Sequence, residues 1–317
     1  MHRYIIKRLF LMIPVIIGVS FLVFFIMDMA PGDAVDLMAP EGATAEDLDA
    51  IRHELGLDQP VVIRYVKYMS GMLRGDMGVS YVSKTDVFDT YMEKLPATIK
   101  LSFASILVSV LLSVPLGIYS ATKQGTIQDN ISMVLAMIGL SMPNFWLGLL
   151  LIIAFSLKLH MFPSGGDQTL SSIVLPALTI GTGLMATLTR TTRSSMLDVL
   201  KQEYLRTARA KGIPEKVVVM SHALRNALIP IITIIGTQLA GVLGGSVLTE
   251  TVFAWPGVGR LIVDSLNMRD TPLVTGSIIM TTILLSIVLL LVDLLYAVVD
   301  PRIKAQYITK RGKRKHG

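Results

Sequence analysis

"TIKLSFASILVSVLLSVPLGIYSA", Thr98–Ala121, decides the fold. Its one charge is Lys100, and as a helix it is long enough to cross the roughly 30 Å hydrocarbon core of a bilayer. Working outward, five further runs of the same kind appear: about Leu9–Met29 before it, then Ile131–Leu157, Ile173–Leu188, Leu228–Leu248 and Gly276–Val299 after it. Pro14, Pro115, Pro143 and Pro176 lie inside these runs. Membrane helices tolerate such prolines because neighbouring helices can satisfy the freed carbonyls. The third run sits behind two capping candidates, Asp129 and Asn130. The reading is an all-α membrane protein with six transmembrane helices.

Composition agrees. Of the 317 residues 52% are apolar and only 16% charged, against about a quarter charged in soluble chains. The net charge of +6 fits basic loops on one side of a membrane better than nucleic-acid binding. No cysteine is present, which excludes disulfides and thiolate metal sites. Five scattered histidines never fall at i, i+4, and eighteen methionines suit gap-filling between helices. No G-x-x-x-x-G-K-[ST] loop occurs, so any ATP that drives this chain binds to another one. Arg3, Lys7 and Arg8 before the first run suggest a signal peptide. That run is too long for a signal's core and no small-residue cleavage site follows it, so it reads as a retained anchor.

Charge asymmetry orients the spans. The first eight residues hold three basic and no acidic groups, residues 190–225 hold eight against three, and the tail from Asp300 holds seven against one. The connection 30–95 carries six basic and twelve acidic residues. The three basic regions are therefore expected on the cytoplasmic face, with both termini, and the 30–95 segment outside. The organisation reads as 1–29, tail and first span; 30–95, external segment; 96–300, membrane core carrying a cytoplasmic loop 190–227; and 301–317, basic tail. In the external segment "TAEDLDAIRHELGL" has Leu48, Ile51 and Leu55 at helical spacing, with Thr44 and Asp47 as a capping box.

The loop is the most polar stretch inside the core. From Ser195, residues Leu197, Leu200, Tyr204 and Ala208 recur on one helical face, with Lys201, Arg206, Arg209 and Lys211 around the rest. Gly212 is placed as the C-terminal cap and Pro214 follows. A second polar helix, "PEKVVVMSHALRNA", leads into the fifth span. Such helices could lie on anionic lipid or form a lever docked into a partner.

"YLRTARAKG" with the downstream "HALRNALIP" resembles the cytoplasmic loop of bacterial ABC-importer permeases of the dipeptide/oligopeptide/nickel family. The general loop pattern is E-A-A, three residues, G, nine residues, I-x-L-P. Aligned on Gly212, its E-A-A falls on Arg206, Thr207 and Ala208 and its I-x-L-P on His222–Arg225, so only Ala208, Gly212 and Leu224 fit. The replacements look like those usual in the peptide branch. "APGD" (30–33), "LGLDQP" (55–60), "GDMGVSY" (75–81), "MPNFWLG" (142–148), "TRSSMLDVL" (192–200), "LTETVFAWPGVGR" (248–260) and "DLLYAVVDPR" (293–302) are similar in order, over nearly the whole chain.

The resemblance implies a type I ABC importer permease fold in a bacterial inner membrane, importing di- or oligopeptides. It implies that Tyr204, Arg206, Thr207, Ala208, Arg209, Ala210, Lys211 and Gly212 form a coupling helix seated in an ATPase cleft. The partners it implies are a second homologous permease, two cytoplasmic ABC ATPases that bind ATP and Mg²⁺, and an external substrate-binding protein. This chain itself is expected to be no enzyme and to bind no cofactor, metal or nucleic acid. Nickel or glutathione is the alternative cargo. An ion-coupled secondary transporter is the remote alternative, for which internal repeats and midplane charges are wanting.

Polar candidates for a translocation path are Ser141, Asn144, Thr182, Gln238, Ser246 and Glu250. "GTGLMA", 181–186, matches a dinucleotide fingerprint but sits inside a span rather than after a strand. Gly241 and Gly245 form a G-x-x-x-G pair in a small-residue face, expected to pack on another helix. Asp293 in the last span raises a proton relay, but it lies within two turns of the cytoplasmic end. "FAWPGVGR", 253–260, suits a re-entrant hairpin or an interfacial anchor.

Overall fold

The computed structural model describes residues 2–29, Val35 and 43–299. The "APGD" motif and the basic tail 301–317 lie outside the described residues. Twelve α-helices of six residues or more stand out among the described residues: α1 His2–Met29, α2 Ala45–Glu54, α3 Val61–Met72, α4 Val87–Thr122, α5 Ile127–Ser141, α6 Asn144–Leu151, α7 Val174–Leu200, α8 Glu203–Ala210, α9 Leu224–Gly245, α10 Val247–Val252, α11 Val258–Asn267 and α12 Thr271–Val299. Among the described residues the only β-type pairing is an isolated bridge between Val79 and Asp86. Five helical stretches among the described residues are long and apolar enough to span a membrane, and α5 with α6 makes a sixth only as a pair bent by 97°. The third run is therefore not one straight helix. Pro143 has no N–H to continue the ladder and disfavours helical geometry at Met142, which is extended (φ −96°, ψ 131°).

Helices outrun their apolar cores. Asp86 caps α4, its carboxylate accepting from Phe88 N at 2.7 Å and Asp89 N at 3.1 Å, so Val87–Leu95 is already helical. α7 continues past Leu188 to Leu200, carrying Arg190 and Arg193. At the start of α5 the cap is Thr126, not Asp129 or Asn130. Asp129 is occupied elsewhere: Arg193 donates to it through Nε at 2.8 Å and Nη2 at 2.7 Å, Gly125 N at 3.0 Å, and Ser120 Oγ completes the shell. In α2 the expected capping box is present in both directions between Thr44 and Asp47.

The described residues form two compact units. The first comprises residues up to Lys100, Gly165–Asp167 and Leu243–Ser286. Here α3 packs on α1: Tyr65 meets Phe21 and Phe24 edge-on, and Arg64 pairs with Asp28. Asp270, 1% exposed, accepts from Ser80 Oγ, Tyr81 N and Val82 N, which pins "GDMGVSY" to the start of α12. α10 and α11 form the hairpin expected of "FAWPGVGR". Trp255, however, is buried and donates from Nε1 to Ala97 O at 2.9 Å, so it is no interfacial anchor.

The second unit comprises Leu101–Ser164, Gln168–Val242 and the described residues 287–299. Its α4 buries Ser102, Ser105, Ser109, Ser113 and Ser120 as a small-residue stripe, which lets α7 approach closely. A Cβ on Gly181 would lie 2.7 Å from Val108 Cγ1, and one on Gly117 2.6 Å from Thr192 Cβ. In the fifth span Gly236 faces Val292 of α12, whereas a Cβ on Gly241 would meet no atom within 4 Å. The small-residue face thus packs on α12 at Gly236, against Val292, and at Gly244, against Leu285, but not at Gly241.

Candidate coupling helix and polar path residues

α8 is short and strongly two-sided. Leu205 is fully buried and Ala208 nearly so, in a cluster with Leu188, Met196, Val218, Val219 and Ile231. The other seven expected coupling residues, Tyr204, Arg206, Thr207, Arg209, Ala210, Lys211 and Gly212, are exposed. Sequence periodicity carried from Ser195 puts Tyr204 on the buried face. The chain instead breaks at Lys201–Gln202, where Gln202 is extended (φ −75°, ψ 143°), and the helical phase restarts so that Leu205 is the anchor. No Ser, Thr, Asp or Asn marks that break, so the sequence holds no signal for it. Tyr204 donates from its hydroxyl to His222 O at 3.2 Å and accepts from Asn226 Nδ2 at 2.7 Å. Asn226 is a residue that sequence reasoning passes over.

The C-terminal end follows the glycine reading. Gly212 has φ +76°. Its N–H donates to Arg209 O at 2.9 Å and that of Ile213 to Ala208 O at 3.3 Å, which is a Schellman closure. Ile213 packs against the same cluster that holds Ala208. Across the turn Arg209 makes two hydrogen bonds to Glu215, Nε–Oε2 at 3.0 Å and Nη2–Oε1 at 2.9 Å. That pair is half-exposed and contributes about 1 kcal/mol at most. The second helix is not separate. Glu215–Val217 runs through a π-helical turn, Val218–Ala223, straight into α9, and the whole stretch Glu215–Gly244 is one spanning helix. Val218, Val219 and Ala223 are buried, while Glu215, Lys216, Ser221, His222 and Arg225 are exposed, so the exposed polar surface continues from α8 into this stretch.

Three of the six path candidates lie at one level of α7, residues 182–184, in the second unit. Asn144 opens α6 beside Gly183, where a Cβ would lie 2.7 Å from its Oδ1. Thr182 bonds back to Leu178 O at 2.7 Å, and its own backbone meets Gly139 of α5 so closely that no Cβ fits there. Gln238 of α9 donates to Leu184 O at 3.1 Å while its Oε1 is buried without a partner among the described residues. Ser141, exposed, closes α5 just before the bend. The glycines of "GTGLMA" thus serve close packing of α7 against α4 and α6. Ser246 and Glu250 lie in the first unit and are bound up with each other. Glu250 is fully buried; its carboxylate accepts from Ser246 Oγ at 2.7 Å, Thr98 Oγ1 at 2.9 Å and Arg260 N at 3.1 Å. Thr98, whose hydroxyl also accepts from Val258 N at 2.8 Å, completes a polar knot that no local sequence pattern signals.

Comparison with known proteins agrees with this architecture. The model for binding-protein-dependent transport system inner membrane components matches residues 113–305, and the model for the N-terminal part of such components matches 1–102. The chain is 42% identical over 315 residues to the oligopeptide transport system permease protein AppB of Bacillus subtilis (strain 168), covering 96% of this chain and 100% of AppB. It is 41% identical over 304 residues to the glutathione transport system permease protein GsiC of Escherichia coli (strain K12), covering 96% and 99%. Among solved structures, a chain of the inward-facing MetNI methionine ABC transporter superposes with a TM-score of 0.58 at 16% identity, covering 67% of this chain and 96% of that one. That likeness carries the fold alone, a type I ABC importer permease fold. Whole-length identity carries the rest: the chain belongs to the family of binding-protein-dependent transport system inner membrane components, as a multi-pass membrane permease of the peptide and glutathione type.

Proposed function

We propose that the chain is one of two homologous permease subunits of an ATP-driven importer for di- and oligopeptides. An external binding protein delivers the peptide, and two cytoplasmic ATPases hold ATP and Mg²⁺. Whole-length similarity to an oligopeptide permease carries this reading. The capped, outward-facing α8 supports its mechanism. Leu205 and Ala208 root the helix in the permease, and the face with Tyr204, Arg206, Thr207, Arg209, Ala210, Lys211 and Gly212 is left for the ATPase. Closure of the ATPases pushes α8, and the motion passes to α7 and α9, to which it is joined by short links. Ser141, Asn144, Thr182 and Gln238 line the peptide's path at the bend. Ser246 and Glu250 brace the α10–α11 hairpin.

Uptake by vesicles reconstituted with the cognate ATPases, partner permease and binding protein tests the cargo. Labelled di- to hexapeptides are expected to accumulate with ATP. Uptake of nickel alone would replace the reading with the metal branch, and uptake of glutathione alone, which 41% identity to GsiC favours, with that branch.

Orientation is tested separately. Cysteines at Ser83 and Lys201, both exposed, are expected to react with an impermeant maleimide on opposite faces of intact cells, Ser83→Cys from outside. Ser195 is buried and unsuited to the purpose. Labelling of both from outside overturns the cytoplasmic placement of α8.

A further inference from the structure

Seven buried side-chain polar atoms lack a hydrogen-bond partner among the described residues, and three of them, Arg64 Nε, Tyr68 Oη and Thr275 Oγ1, belong to residues that line one cavity. The cavity measures about 890 Å³ and lies within the first unit, walled by α1, α3 and the junction of α11 with α12. Unsatisfied buried donors are costly and uncommon in native folds, and three of them belong to residues of this one wall. Burial pushes the Tyr68 phenol up, which keeps its hydroxyl protonated as a donor.

The charges around the chamber select the ligand's sign. Arg64 pairs with Asp28 and Arg52 with Asp49. Lys67 and Arg269 also line the wall with no acidic partner among the described residues, against one carboxylate outside any ion pair, Asp76. The rest of the wall is mixed, polar at Gln59, Tyr81 and Thr271 and otherwise apolar, with Phe24 and Met27 the last apolar side chains of the first span to reach it. Asp28 then ends that span's apolar run, which sets the chamber at the level where the chain leaves hydrocarbon. Beside it α3 turns Val62, Ile63 and Val66 outward, each more than half exposed, as a helix lying in the interface does. A small soluble anion would leave the apolar wall bare. An amphiphile with an anionic head uses both.

We propose that this cavity holds the headgroup of an anionic phospholipid. Its phosphate accepts hydrogen bonds from Arg64, Tyr68 and Thr275, Lys67 and Arg269 balance its charge, and its glycerol and first acyl carbons lie on Phe24 and Met27.

The test uses the full-length permease in its transport complex, exchanged into nanodiscs of phosphatidylglycerol or phosphatidylcholine, then released into mild detergent and weighed by native mass spectrometry. One phosphatidylglycerol per permease is expected to survive washing that strips phosphatidylcholine. Lys67→Glu with Arg269→Gln is expected to cut the retained lipid about tenfold, and Tyr68→Phe or Thr275→Val, each losing only a hydroxyl, a few-fold. If the double variant extracts poorly, Lys67→Glu alone, at an exposed position, carries the same expectation. Equal retention of the two lipids, or undiminished retention in the charge variants, overturns the proposal. So does a melting temperature of the delipidated complex that rises with inorganic phosphate or a tripeptide but not with phosphatidylglycerol.

Discussion

Gly212→Val is expected to reduce ATP-driven uptake at least tenfold while the permease stays inserted and its ATPases lose stimulation by the loaded binding protein. The cause is conformational. A Cβ at Gly212 would meet no atom within 4 Å, so space is not at issue, but φ is +76°. Left-handed geometry costs an L-residue about 1–2 kcal/mol, and a β-branched one more. The last turn of α8 can escape that cost by opening its two closing hydrogen bonds, and the helix then no longer holds its angle. Asn tolerates the left-handed region, so Gly212→Asn is expected to transport nearly as well as the parent, with Gly212→Ala between. If α8 merely rests on lipid, the order differs: Gly212→Val is harmless, and joint removal of the Arg206, Arg209 and Lys211 charges is what loosens the protein. Uptake and stimulated ATP hydrolysis, measured side by side for both variants, separate the two. Normal coupling in Gly212→Val would falsify the lever.

Arg193→Ala is expected to damage folding itself. It leaves the Asp129 carboxylate, with a side chain 4% exposed, without its cation, and stranding a buried charge this way costs about 3–5 kcal/mol. Folded yield by fluorescence-detected size exclusion should collapse, together with the melting temperature. Arg193→Gln combined with Asp129→Asn removes both charges and should recover most of the loss, since a buried pair contributes little beyond its own desolvation. Equal damage from the single and double changes would show that Arg193 matters by packing and not by charge.

How much of this was legible in the sequence depends on the range of the interaction. Five of the six apolar runs, the Thr44–Asp47 box and the Gly212 cap are local patterns, and each stands in the structure where the residues put it. Three features rest on distant partners and leave no local trace. Asp129 looks like a helix cap until Arg193, 64 positions on, claims it. Glu250 looks like a path residue until Thr98 and Arg260 enclose it. Leu205 displaces Tyr204 as the anchor because an unmarked break resets the helical phase. The bend at Met142–Pro143 falls between these cases. Proline inside a membrane helix is often absorbed, as at Pro14 and Pro230 in α1 and α9, and only the surroundings of Pro143 make it a break.

That bend also has a meaning for hydration. Where α5 stops, its last carbonyls have no following turn to donate to them, and α6 begins with free N–H groups of its own. In hydrocarbon each such group costs several kcal/mol, so a broken helix inside a bilayer must face protein or water, never acyl chains. Asn144 beside Gly183, and the Gln238 carboxamide on Leu184 O, supply polar surface at the same depth. The membrane is therefore not a uniform dielectric slab around this chain. At the bend its dry thickness is interrupted, and under the function proposed above that is where an amide-rich cargo would lose the least solvation in crossing.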